Sequence, residues 1–131
     1  MFLEYSYDDS VRLFDFRKPL VPLIRTNVGG GAWRVKWHPA ITRKNDLLVA
    51  CMHDAFKIVR FDLDGLANEG ERRPNSSSDW NIVKRFDAHE SLAYGVDWSF
   101  DLVTGDHCVQ GLETLIASGS FYDHALHLWS G

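Results

Sequence analysis

The stretch that decides the fold lies close to the end of the chain and reads Ser120-Phe121-Tyr122-Asp123-His124-Ala125-Leu126-His127-Leu128-Trp129. It opens with a polar turn and ends in apolar/polar alternation, a pattern typical of a half-buried strand. Two earlier stretches have the same layout: Ser6-Tyr7-Asp8-Asp9-Ser10-Val11-Arg12-Leu13-Phe14-Asp15 and Cys51-Met52-His53-Asp54-Ala55-Phe56-Lys57-Ile58-Val59. Three copies of one turn-and-strand unit indicate an internal repeat.

Further strand-like segments precede two of these copies. Trp33–Pro39 and Tyr94–Ser99 alternate and are rich in aromatic and β-branched residues, which favour strands. Each is followed, after a loop, by a short apolar run, Asp46–Cys51 or Thr114–Gly119. The order strand, loop, strand, turn, strand therefore occurs twice, and the chain opens on the tail of an earlier copy. The pattern predicts an all-β protein.

The repeat resembles the WD40 family, whose blades run to about 40–45 residues. In that family a histidine before the first strand, a serine or threonine in the second, an aspartate in the next turn and a tryptophan in the third form a hydrogen-bonded tetrad. The last repeat has His89, Ser118, Asp123 and Trp129 at the matching places, with Ala88 where glycine is usual before the histidine.

The preceding repeat departs from the WD40 pattern. Val28 stands at the histidine position, His53 at the aspartate position and Val59 at the tryptophan position. The opening fragment keeps Asp8 and has Phe14 for the tryptophan. These departures weaken the tetrad in those repeats and leave the strand pattern intact.

The resemblance implies a fragment of a WD40 β-propeller, with about two blades and part of a third. Propellers have 4–8 blades and bury apolar faces between neighbours, so we expect that this chain does not close a propeller on its own and needs the missing blades. Because the chain opens at a second strand, we expect a truncated product, a partial gene model or one piece of a larger assembly. Within 1–131, taken as the C-terminal part of a propeller, the predicted units are the end of a blade (1–20), a degenerate blade (28–64), a flexible loop (65–80) and a last blade (81–131) with an insert (100–111).

Composition narrows the function classes. Among 131 residues, 14 Lys and Arg stand against 18 Asp and Glu, and the net charge of −4 gives no basic footprint for nucleic acid. No apolar run approaches the roughly 20 residues of a membrane span, and no signal peptide precedes the repeats, so we expect a cytoplasmic location. Cys51 and Cys108 lack metal-ligand spacing, and His124 and His127 would point to opposite faces of a strand. The sequence implies no metal and no cofactor.

A finer resemblance covers most of the chain outside its two loops. The chain resembles the last blades of the WD40-repeat diphthine methylesterases, which form the diphthine methyltransferase family. The matching stretches are Ala50-Cys51-Met52-His53 with Phe56-Lys57-Ile58, Gly30–Pro39, His89–Ser99 and Ser120–Trp129. That family implies hydrolysis of the methyl ester of methylated diphthine on elongation factor 2, during diphthamide biosynthesis. The alternative is a non-catalytic WD40 scaffold for protein interactions, because no recognisable nucleophile is present.

Ester hydrolysis needs an attacking oxygen, a base and donors for the developing oxyanion. The sequence has no G-x-S-x-G elbow, which favours water activated by a histidine or carboxylate. The candidates are His53, Glu90 and His124, in turns that we place on one propeller face. His53 comes first, because it replaces a structural aspartate, although it also fits a degenerate tetrad member.

Trp33, Arg34 and Tyr94 are candidate anchors for a protein partner, as exposed Trp, Tyr and Arg often are. Packing between blades is the alternative role for these three residues.

Overall fold

The computed structural model of the chain describes residues 2–64, 79–100 and 114–131, which form ten strands in three antiparallel sheets. The first sheet contains β1 (Phe2–Tyr5), β2 (Ser10–Phe14) and β3 (Ile24–Asn27). The second contains β4 (Arg34–Trp37), β5 (Asp46–Ala50), β6 (Phe56–Phe61) and β7 (Trp80–Phe86), with a 3-10 helix (Ile41–Arg43) between β4 and β5. The third contains β8 (Ala93–Trp98), β9 (Leu115–Ser120) and β10 (Leu126–Ser130).

The second sheet lies between the other two, and its alternating side chains serve both neighbours. Leu47 and Val49 pack with residues of the first sheet, whereas Leu48 and Ala50 pack with residues of the third. All five residues of β5 are buried, as expected for a strand covered on both faces. The apolar runs of the sequence thus build two cores between three stacked sheets.

This stack confirms the predicted all-β class and a partial β-propeller. Consecutive antiparallel sheets pack face to face, as blades do, and none of the described sheets closes into a ring. The outer face of the third sheet is open, with Leu126 72% and Leu128 66% exposed.

The sheets divide the chain differently from the predicted repeat units. Trp80–Phe86 (β7) pairs with β6, so the second sheet runs past 64, while the third begins at Ala93 and not at 81. The difference arises because β7, although it is close to β8 in sequence, hydrogen-bonds to β6. The predicted loop 65–80 and insert 100–111 lie almost wholly outside the described residues; of the loop, Asp79 is buried and Trp80 already belongs to β7. The other predicted boundaries stay a prediction.

Candidate functional site

A chain of hydrogen bonds links the predicted tetrad residues of the third sheet. Trp129 Nε1 donates to Ser118 Oγ at 3.0 Å, and Ser118 Oγ lies 2.8 Å from His89 Nε2. His89 does not reach Asp123 directly: its Nδ1 lies 2.7 Å from Ser120 Oγ, which donates to Asp123. The structure therefore brings the four predicted residues together, with Ser120 inserted as a fifth.

The donors in this chain can all point one way. Trp129 has only an N–H to give, and a carboxylate only accepts. With the Nδ1–H tautomer of His89, the hydroxyl of Ser118 donates to His89 Nε2 and His89 Nδ1–H donates to Ser120. This arrangement requires a neutral imidazole. Burial, together with the nearby His127, lowers the pKa of His89 although Asp123 opposes the shift. His89 is thereby a structural link and poorly suited to accept a proton.

The turns between paired strands correct one alignment made from the sequence. Asp8, Asp54 and Asp123 each stand directly before a residue with positive φ, at Asp9 (61°), Ala55 (67°) and His124 (51°). Asp8 and Asp123 also accept from the backbone N–H two residues on. Asp54, not His53, therefore holds the aspartate position of the second sheet. The argument that His53 replaces a structural aspartate is wrong.

A network of charged groups stands in the second sheet where the third has its histidine and serines. The buried Lys57 donates from Nζ to the Val28 carbonyl and to Asp54 Oδ2, the latter at 2.5 Å. Arg85 NH1 donates to the other oxygen of Asp54 at 2.7 Å. Burial disfavours the Asp54 carboxylate, but the bonds from Lys57 and Arg85 outweigh it and lower its pKa. Gly29 (φ 82°) packs against this carboxylate, and any Cβ there would overlap it.

An open cleft of about 590 Å³ lies at the same end of the sheets. Its wall follows the β5–β6 turn, the segment from β7 to β8 and the β9–β10 turn, and it is lined by Met52, His53, Ala55, Arg85, Asp87, His89, Glu90, Ser91, Leu92, Ala93 and Tyr122. The N–H of Ala93 donates to the Met52 carbonyl at 2.8 Å, which joins the second and third sheets beneath the cleft. The lining combines imidazole, carboxylate, hydroxyl and guanidinium groups.

The structure brings together two of the three candidate catalytic residues. His53 and Glu90 are both exposed and line this cleft. His124 lines an adjoining cleft with Tyr94 and Phe121, and only Tyr122 of its turn contributes to both. His53 and Glu90 therefore stay candidates for one site, and His124 belongs to another.

Two residues near this end of the sheets, one in the cleft and one in the hydrogen-bond chain, were missed from the sequence. Arg85 supplies the guanidinium of the lining. The sequence signal that could have identified it is its position two residues before Asp87 and four before His89. Ser120 was missed as the link to Asp123, although a small residue recurs at that turn position as Ser6 and Cys51. Cys51 itself is not a nucleophile, because burial raises the pKa of its thiol to about 12.

The predicted partner anchors form part of a continuous row of aromatic rings along this end of the three sheets. We call it the aromatic stripe; neighbouring ring centroids lie 5.6, 5.0, 5.1 and 4.9 Å apart along Tyr7, Trp33, Tyr94, Phe121 and Tyr122. Trp33 is half-buried, whereas Arg34 is exposed. A small cleft is lined by Ser6, Tyr7, Ala32, Trp33, Arg34 and Tyr94.

The opposite ends of the strands carry a clasp built around Asp46. This buried carboxylate accepts from Arg43 Nε at 2.7 Å and from Arg60 Nε at 2.6 Å. Arg43 also donates to Thr114 Oγ1 at 3.2 Å, and His38 Nε2 lies 2.7 Å from the same oxygen. The clasp ties the second sheet to the third, far from the cleft.

Neither a metal site nor a membrane span is found in the part of the chain that the structure describes. No three His, Cys, Asp or Glu side chains there are grouped to hold an ion. No helix among those residues is long and apolar enough to cross a membrane.

Fold and site together define the class: a partial β-propeller with a polar cleft and an aromatic stripe at one end of its sheets. The chain is 37% identical over 126 residues to the diphthine methyltransferase homolog of Dictyostelium discoideum, covering 95% of this chain and 30% of that protein. It is 37% identical over 95 residues to the mouse diphthine methyltransferase, covering 72% of this chain and 18% of that protein. The diphthine methyltransferase of Saccharomyces cerevisiae is 27% identical over 143 residues, again covering 95% and 30%.

The chain therefore belongs to the diphthine methyltransferase family, as the sequence resemblance predicted. It spans less than a third of the length of these relatives. No family model matches the chain, and no solved structure matches it.

Proposed function

We propose that this chain is part of an enzyme of diphthamide biosynthesis that hydrolyses the methyl ester of methylated diphthine on elongation factor 2. The observation that carries the proposal is the 37% identity over 95% of the chain to a diphthine methyltransferase homolog. The cleft adds a place for the chemistry, because an exposed histidine and an exposed carboxylate both belong to its lining.

In this mechanism His53 acts as the general base. It takes a proton from water as the water oxygen bonds to the ester carbonyl carbon, and returns that proton to the methoxide as the ester C–O bond breaks. Methanol and a carboxylic acid form, and the acid releases the second proton of the water to solvent to become the carboxylate. Glu90 holds the imidazolium or the water. Arg85 lines the same cleft, and the N–H groups of its guanidinium that are not bonded to Asp54 donate to the oxyanion.

The cellular test is removal of the full-length gene. Elongation factor 2 is expected to stall at the methylated intermediate, seen by mass spectrometry as a residue that keeps its ester methyl group. Normal diphthamide after deletion would contradict the proposal.

A second experiment tests the residues. His53→Gln in the full-length protein is expected to slow methanol release at least about 100-fold, the range of a lost general base, and Glu90→Gln to slow it less. His124→Gln is the matched control, because His124 is an exposed histidine of the adjoining cleft. Equal rates for His53→Gln and the parent protein would remove His53 from the mechanism.

A non-catalytic scaffold is the second candidate function. The aromatic stripe favours it, because exposed Tyr and Trp side chains are typical of protein interfaces. It predicts that the purified full-length protein releases no methanol from the methylated substrate.

A further inference from the structure

The aromatic stripe has the length of a short extended peptide. Its four ring-to-ring steps of 4.9 to 5.6 Å give a path of up to about 20 Å, which about six residues of extended chain cover at roughly 3.3 Å each. A small ligand would occupy only one or two of the five rings.

The stripe also lies where stacking of sheets does not cover it. Tyr7, Phe121 and Tyr122 stand in the turns at the strand ends, at exposures of 67%, 49% and 71%. Stacked sheets cover their faces, whereas turns at the strand ends stay at the surface. Tyr94 is 37% exposed, so four of the five rings are at least partly open to solvent. A contiguous row of exposed rings of this kind marks an interaction site.

The charge beside the stripe favours an acidic partner. Arg34 is the single charged side chain in the lining of the cleft formed with Tyr7, Trp33 and Tyr94. It is exposed and makes no salt bridge with the residues that the structure describes. A guanidinium beside aromatic faces can bind a carboxylate through two parallel hydrogen bonds. A basic ligand would meet this uncompensated positive charge.

The far end of the stripe reaches the candidate catalytic cleft. Tyr122 closes the row of rings and also lines the cleft of His53 and Glu90. The N–H of Tyr122 donates to Ser91 Oγ at 3.1 Å, which ties this ring's backbone to the other wall of the cleft. A chain lying along the stripe would run toward the reacting groups.

From these observations we propose that the aromatic stripe docks an extended acidic segment of a protein partner, with its carboxylate on Arg34 and its apolar side chains on the rings. The proposal rests on the proposed function only in taking that partner to be the protein substrate. Arg34 and Tyr94 are then specificity residues for the partner and not catalytic residues.

The test uses the full-length protein and three fluorescein-labelled eight-residue peptides that differ only in carrying Glu, Gln or Lys at two positions. Fluorescence anisotropy is expected to show the Glu peptide binding about tenfold more tightly than the Gln peptide at low salt. Arg34→Gln should abolish that difference and leave binding of the Gln peptide unchanged. Tyr94→Ala should weaken binding of both the Glu and the Gln peptide. Arg17→Gln is the matched control: it removes an exposed guanidinium at the opposite end of the first sheet.

Equal binding of the Glu and Gln peptides, tighter binding of the Lys peptide, or a preference that survives Arg34→Gln would overturn the proposal. The outcome is separate from that of the ester chemistry, because anisotropy requires no turnover. If the protein prefers the Glu peptide but releases no methanol, the docking proposal is supported and the esterase proposal is contradicted.

Discussion

Removal of one hydroxyl group, at Ser118, tests whether the hydrogen-bond chain holds the third sheet together. Ser118 is 1% exposed, and its Oγ joins the Trp129 indole at 3.0 Å to the His89 imidazole at 2.8 Å. Ser118→Ala removes both bonds at once while leaving the side chain slightly smaller. The buried indole N–H then loses the acceptor that it has among the described residues.

The cost follows from the two groups left without a partner. A buried polar group that loses its hydrogen bond costs about 1–3 kcal/mol. Trp129 is 8% exposed and takes a value near the middle of that range, while the half-buried His89 can recover water and takes the lower end. The expected loss is about 3 kcal/mol, a large share of the roughly 5–15 kcal/mol that holds a domain folded. With a urea slope of about 2 kcal/mol/M, the midpoint should fall by about 1.5 M.

Urea denaturation of the full-length protein, followed by tryptophan fluorescence, measures this shift. Ser91→Ala is the control, because Ser91 Oγ makes an exposed bond to one backbone N–H and should cost under about 1 kcal/mol. Ser118→Ala and Ser120→Ala together should cost less than the sum of the single changes, since both act through His89. Scatter in such urea midpoints is about 0.3 M at this slope. A Ser118→Ala midpoint that lies within this range of the parent midpoint would refute the reasoning.

Three further predictions concern other parts of the stack. Asp46→Asn should lower the free energy of unfolding by about 3 kcal/mol, because breaking a buried charged pair strands its partners; calorimetry showing no change would contradict the clasp. Gly29→Ala should lower the free energy of unfolding by at least about 2 kcal/mol through its positive φ and the overlap with a neighbouring carboxylate. Gly95→Ala, facing open space within β8, should not lower it, because alanine is favoured over glycine within a strand by roughly 0.5–1 kcal/mol. Burial lowers the pKa of both His38 and His89 in the folded protein, so the unfolded chain binds more protons below about pH 6.5. The contribution of these two histidines to stability should be complete above that pH and should decline as the pH falls toward the folded pKa values. Urea midpoints that increase as the pH is lowered from 7 to 5 would contradict this prediction.

The strands and their stacking could be predicted because they depend on local patterns, either apolar/polar alternation or a short apolar run. Leu47 to Ala50 read as a continuous apolar run, and the structure buries all of it because both faces of β5 are covered. The assignment of β7 to a sheet could not be predicted in the same way. Which neighbour a strand pairs with is set by long-range hydrogen bonds, and the register Phe61 to Trp80 spans a segment that carries no strand pattern.

The candidate site was only partly predictable for a related reason. Turn positions can be recognised from small and polar residues, but a shift of one residue changes which side chain is structural. His53 and Asp54 are adjacent and both polar, and only the positive φ at Ala55 identifies Asp54 as the structural member. Contacts such as that between Lys57 and the Val28 carbonyl join distant parts of the sequence and leave no local signal.

The turns of the second and third sheets show that a degenerate repeat can keep its structural bond with different chemistry. In the third sheet the turn carboxylate is reached through a serine and a neutral imidazole, whereas in the second sheet Asp54 accepts directly from the buried Lys57. The ammonium of Lys57 also donates to the carbonyl of Val28, the residue at the predicted histidine position. In the second sheet Lys57 thus takes the linking role that His89 has in the third sheet. An ion pair replaces a chain of neutral hydrogen-bonding groups. The ion pair of Asp54 and Lys57 does not depend on the protonation of a histidine. At an acidic pH where protonation of His89 disrupts its hydrogen bonds, the turn of the second sheet should therefore stay folded, together with the wall of the cleft that carries His53.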